Sequence, residues 1–301
     1  MKYVISTIVI LSQVGSLLGI TDKILIMTHA HSRPDMIELH VRTFNAFLED
    51  EYEYVVFNDA PNKQLEREIN ETCKKLNVKC LRVPEEMHVE NTPGGRHMGG
   101  LRYSLESMGF EYDGIVLIID SDMFLIKPLH IKSFVGEEHL VAAKQWRKNS
   151  TTQVTYISPA AVFINMATAP NKKSISFYGG RVEGLLCDVG GHFHYYFKNN
   201  PDLRYRFVHM GRTTTSDKDD TITILNKDKN FLKSLGYDKQ AINFILDLDP
   251  VYIFEFYCDG YFLHYFSGGS NWRQYPPSYI AQKNHIMRAF IDNQLTYYDK
   301  K

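Results

Sequence analysis

The strongest constraint on this chain is an alternation in its first half, where short unbroken apolar runs are each followed by helix formers. Lys23-Ile24-Leu25-Ile26-Met27 is apolar after its lysine and ends at Thr28-His29, and a helix begins at Pro34-Asp35 with Met36, Leu39, Phe44, Phe47 and Leu48 on one side. Tyr54-Val55-Val56-Phe57 is the second run, ending at Asn58-Asp59, and residues 63–76 form a second helix with Leu65, Ile69 and Leu76 at helical spacing. Lys79-Cys80-Leu81-Arg82-Val83 follows, stopped by Pro84. The loop Asn91-Thr92-Pro93-Gly94-Gly95 then leads to a helix around residues 98–108, and Gly114-Ile115-Val116-Leu117-Ile118-Ile119 is the fourth strand. Strands apolar throughout their length are buried on both faces, so the alternation predicts an α/β fold with a mostly parallel sheet covered by helices on both sides.

The second half is less regular. Residues 140–143, 160–164 and 205–208 read as strands, 231–235 and 239–246 as short helices, and 279–295 as a terminal helix. No Pro/Ser-rich linker divides the chain of 301 residues, so the two halves share one core. Lys plus Arg is 34 and Asp plus Glu is 35, a net charge of −1 that disfavours non-specific nucleic-acid binding. A hydrophobic fraction of 44% and a charged fraction of 23% exclude wholesale disorder and a multi-span membrane protein. Aromatic residues thicken after residue 177, either as core or as stacking surface for sugar rings. Cys73, Cys80, Cys187 and Cys258 contain no C-x-x-C pair, and Cys73 and Cys80 are either bridged or two free thiols.

Met1-Lys2 precedes nineteen uncharged residues, 3–21, with an apolar centre at 4–11. Residues 1–22 read as a signal peptide or a membrane anchor, the alternative being an element of the fold. Two N-x-[ST] sequons, at Asn70 and Asn149, are compatible with a secretory route. The expected location is the secretory lumen or a membrane-associated position, with the cytoplasm as the alternative.

The chemistry concentrates at Ile119-Asp120-Ser121-Asp122. In a parallel α/β sheet, ligands bind beyond the carboxyl ends of the strands, and here two carboxylates follow the most hydrophobic strand. Mg²⁺ and Mn²⁺ take one or two carboxylates together with substrate phosphates, so Asp120 and Asp122 are candidate metal ligands. Two other D-x-D tripeptides, at Asp217 and Asp247, follow no buried strand and read as solvated or capping carboxylates. His264 follows Tyr261-Phe262-Leu263 as if at a strand end and is a third ligand candidate, with packing among aromatics as the alternative; Gly268-Gly269 beyond it allows close approach to a phosphate. His192 and His194 would share one face if residues 191–197 were extended.

The βα units leading to Asp120-Ser121-Asp122, then Lys127-Pro128-Leu129, resemble glycosyltransferases of the GT-A fold, over about residues 23–275. Ala161-Val162-Phe163-Ile164-Asn165 is similar to the strand after the donor site in that fold, and Asp188-Val189-Gly190-Gly191 to its acceptor-side acidic segment. His264 to Trp272 resembles the H-x-x-G-x-x-K-P-W segment of glycosyltransferase family 8, with Ser267 in place of the glycine and Ser270-Asn271 in place of Lys-Pro. The resemblance implies a Rossmann-like domain with a nucleotide-binding half (23–128) and an acceptor half (129–275), followed by a helical segment (276–301). It also implies Mn²⁺ or Mg²⁺ on Asp120, Asp122 and His264.

The nucleotide-sugar contacts are then expected from Thr28, Asp59, Arg96, Arg102, Asp120, Ser121, Gly268 and Gly269. Asp188 is the candidate catalytic residue, as a base or a positioner for the acceptor hydroxyl, or else a helix N-cap. The expected reaction moves a sugar from a UDP- or GDP-linked donor to a glycan, protein or lipid hydroxyl. The competing readings are a sugar nucleotidyltransferase and a non-catalytic secreted carbohydrate-binding protein of the same fold.

Overall fold

The computed structural model describes residues 22–88, 94–213, 222–224, 229–266 and 274–300. In chain order the first half runs β1 (Ile24–Ala30), α1 (Pro34–Phe47), β2 (Tyr52–Asn58), α2 (Lys63–Lys75), β3 (Lys79–Arg82), α3 (Gly95–Ser104), β4 (Ile115–Asp120) and β5 (Met123–Leu125). Next come α4 (Ile131–Val135), β6 (Leu140–Lys148), β7 (Gln153–Asn165), β8 (Gly180–Val182), β9 (Leu185–Cys187), α5 (Phe193–Asn199), β10 (Tyr205–Val208) and β11 (Met210–Arg212). The remainder is β12 (Ile222–Ile224), α6 (Lys229–Ser234), α7 (Lys239–Leu246), β13 (Glu255–Tyr257), β14 (Phe262–His264) and α8 (Pro277–Asp299).

Seven strands form the main sheet in the order β10-β6-β7-β4-β1-β2-β3, and only β7 runs against its neighbours. This is the expected α/β fold with a mostly parallel sheet, and both halves of the chain contribute to it. Successive side chains of a strand point to opposite faces. In β1, Ile24 and Ile26 accordingly enter a core with α1, α2 and α4, while Leu25 and Met27 enter another with α3 and α5. A third apolar cluster joins α1 to α7, α8 and a smaller sheet, ordered β12-β11-β13-β14-β5. The terminal helix belongs to that cluster, with Met287, Phe290 and Ile291 buried.

Some sequence expectations change. The helix around 98–108 is α3 followed by a π turn at Leu105–Gly109. His192 and His194 do not alternate on a strand, because α5 starts at Phe193 with His192 at its cap; the chain there is helical, and His194 faces Glu183 at 3.9 Å. Asp188 therefore caps no helix and accepts instead from its neighbour Val189 N at 2.8 Å. All four cysteines are free. Residues 1–21 and the D-x-D at Asp217 lie outside the described residues. Among the described residues, no helix is long and apolar enough to cross a membrane.

Candidate active site

β4 ends at Asp120, and Ser121-Asp122 turns the chain directly into β5. The register of the small sheet then assembles the site. β14 places His264 opposite Met123, β13 places Glu255 opposite His264, and β11 places Arg212 opposite Glu255. One row across four strands thus carries Arg212, Glu255 and His264 and ends beside Asp122.

Asp120, Asp122 and His264 each offer one ligand atom, all within 4.8 Å of one another. His264 Nε2 lies 3.4 Å from Asp122 Oδ1, while its Nδ1 is 2.7 Å from Glu255 Oε2. Arg212 Nε donates to the other Glu255 oxygen at 2.8 Å. Burial opposes charge on both members of the His264–Glu255 pair, and their neighbours outweigh it. Asp122 and Glu255 push His264 up to about 10, and His264 and Arg212 hold Glu255 below the ordinary carboxylate range. Asp120 is held above that range by burial, opposed by His97 at 3.4 Å and reinforced by Asp122. Two carboxylates and an imidazole whose far nitrogen is oriented by a third carboxylate make a donor set that fits a divalent cation of the Mg²⁺ or Mn²⁺ kind.

This cluster forms one wall of a cleft of about 700 Å³. The other walls come from His29 at the end of β1 and His31 just after it, Gly94 to His97 at the start of α3, Gln145, Arg147 and Ser158 on the β6–β7 hairpin, and Asp188-Val189. Gly94 turns the chain with φ +72 into α3, whose first residues line the cleft; a helix start favours anions.

Asp120, Ser121, Asp122, His264, Asp188, Asp59 and Arg96 line this one space. Asp59 and Arg96 are joined to each other, with Arg96 Nε 3.0 Å and His88 Nε2 2.7 Å from the Asp59 carboxylate. Thr28 is not on the cleft wall; its side chain is buried inside β1, and its hydroxyl has no hydrogen-bond partner among the described residues. Arg102 also lies elsewhere, on α3, where it binds Glu106 at 2.7 Å and Tyr178 at 3.2 Å. Gly268 and Gly269 lie outside the described residues. Sequence reasoning missed His97, Arg212 and Glu255. Glu255 did leave a trace, as a lone acid inside the apolar run 251–258.

No protein-family model matches the chain, and no curated protein matches it in sequence. Among solved structures it is similar to the galactosyltransferase LgtC in complex with donor and acceptor sugar analogs, at 13% identity and a TM-score of 0.39 over 62% of this chain and 73% of that one. It is also similar to S. aureus TarS 1–349, at 15% identity and a TM-score of 0.37 over 74% of this chain and 69% of that one. A third is the bifunctional glycosyltransferase WbbM, at 14% identity and a TM-score of 0.33 over 48% of this chain and 32% of that one.

Proposed function

We propose that this chain is a divalent-metal-dependent glycosyltransferase that moves a sugar from a nucleoside-diphosphate donor to a hydroxyl acceptor. The observation that carries the reading is the Asp120, Asp122 and His264 cluster at the mouth of a parallel sheet, on the wall of a cleft large enough for a nucleotide sugar. When bound there, Mn²⁺ or Mg²⁺ supplies positive charge against the diphosphate that leaves. The start of α3 and the His97 imidazole add donors on the same side. Asp188, exposed on the facing wall, is free to accept a hydrogen bond from the acceptor hydroxyl and to take its proton or orient it.

Titration calorimetry with UDP and GDP, with and without Mn²⁺, tests the reading. Wild type is expected to bind one nucleotide in a metal-dependent way. Asp122→Ala is expected to lose that binding while its circular dichroism stays native. Nucleotide binding indifferent to metal and to Asp122 overturns the assignment, as does no binding at all.

A further inference from the structure

The cleft has a second end, formed by the β6–β7 hairpin. The pairing of Ala161 with Ile119 marks the level of the acidic turn, and Val154, which pairs with Arg147, lies seven residues further along β7. The register slips between Ala142 and Lys144, so along β6 Arg147 lies only four or five residues beyond that level, roughly 15 Å of strand from the metal carboxylates at about 3.3 Å per residue. Gln145 and Arg147, two residues apart, both line the cleft there.

Three guanidinium groups line the cleft, and two are neutralised: Arg96 by Asp59 and Glu85, and Arg212 by Glu255. Arg147 has no carboxylate partner among the described residues; it donates to the Trp146 carbonyl at 3.0 Å and lies over the Tyr156 ring. Residues 143–157 contain Lys144, Arg147 and Lys148 and no Asp or Glu. Beside Arg147, Gln145 Oε1 has no hydrogen-bond partner among the described residues, and a turn of the side chain toward the cleft it lines lets it accept from a ligand hydroxyl.

Tyr156 links this end to Asp188. Burial raises its pKa and keeps the hydroxyl neutral, and the ring lies under Arg147, which lines the cleft that Asp188 also lines. An anionic group entering here would be repelled by Asp188 unless a cation took it up, and Arg147 is the cation placed to do so.

We propose that Arg147, with Gln145 beside it, forms an acceptor subsite that selects sugars bearing an anionic group, a carboxylate or a phosphate, and holds it while a hydroxyl lies toward Asp188. The proposal rests on the transferase reading and names the acceptor class for it. The planar guanidinium suits both anions through paired hydrogen bonds.

The test uses the full chain with Mn²⁺ and whichever of UDP or GDP it binds, and measures by ligand-observed NMR the affinity for glucose, glucuronic acid and glucose 6-phosphate. At least one anionic sugar is expected to bind about tenfold or more tighter than glucose, the gain of one charge-assisted contact. The two anionic arms separate carboxylate from phosphate. Arg147→Met is expected to bring the ratio near one, and Arg147→Lys to restore part of it. Equal affinity for all three sugars, undetectable binding of both anionic sugars, or a preference that survives Arg147→Met overturns the subsite. Failure of the chain to bind UDP or GDP with Mn²⁺ instead strikes the transferase reading itself. Arg147 is exposed at a hairpin, so these variants fold as wild type does.

Discussion

Glu255 sets how the His264 ring is oriented, and so how it would meet the proposed cation. Only 2% exposed, it takes the Nδ1 side of His264 and leaves Nε2 aimed at Asp122, and Arg212 keeps its own charge balanced. A carboxylate behind a ligating imidazole fixes the ring and raises its basicity, and losing it typically costs about 10–100-fold in metal affinity. Glu255→Gln retains the shape and a hydrogen-bonding group while removing the charge. Its Mn²⁺ affinity, read by electron paramagnetic resonance titration, is therefore expected to fall by about that factor. An unchanged affinity would mean that His264 is held by packing alone.

At the level of elements, what the sequence discloses follows from how local each contact is. β1, β2 and β4 are legible because both faces of each are largely buried, so apolar runs mark them, while the partly exposed edge strand β3 shows only by its place before Pro84; α1 and α2 follow with their own helical spacing. Asp120 and Asp122 were readable for the same reason, since the end of a buried strand is where ligands gather. Of the small sheet, only the end of β14 at His264 was readable. β5, β11, β13 and β14 have three residues each, and outside the local β13–β14 pair their partners are far apart in sequence, as with Phe262 opposite Leu125. No local periodicity announces such pairings, so Glu255 and Arg212 emerge only once the register is known. The loop carrying Asp188 is tied to β7 in a similarly non-local way. Gly190 has φ +93, and a Cβ there would meet the Ile157 carbonyl oxygen at 2.5 Å. Gly190→Ala therefore meets both backbone strain and a clash, a cost of about 1–3 kcal/mol. The expected result is a melting temperature lower by several degrees. An unshifted melting curve would show that the loop is free to lift from β7.

Two of the three cores meet at His40, which makes it a probe of how the two sheets are joined. It stands fully buried on α1, with Nδ1 2.7 Å from the Tyr54 hydroxyl on β2 and Nε2 2.7 Å from the Met123 carbonyl on β5. The main sheet, the small sheet and the turn at Asp122 are thereby joined through one neutral ring, packed among Phe44, Tyr54 and Phe124. Burial lowers it to about 4; the Met123 carbonyl and, among charged groups, Asp122 pull the other way and do not win. An unfolded histidine titrates near 6.5. Between 6.5 and 4 the unfolded chain binds a proton that the folded chain refuses, so the stability His40 contributes is complete above 6.5 and is lost as pH falls toward 4. The slope approaches about 1.4 kcal/mol per pH unit. His29, buried and lowered to about 3, acts in the same sense, whereas Asp59 and Asp120, raised by burial, act in the opposite one. Comparing wild type with His40→Gln isolates the His40 contribution from these. Urea unfolding of both proteins at pH 7.5, 6.5, 5.5 and 4.5 is expected to show a stability gap that is constant above 6.5 and closes below it. A gap that holds its size down to pH 4.5 would mean that His40 is not carried as a neutral ring, and that another group joins the two sheets to the turn at Asp122.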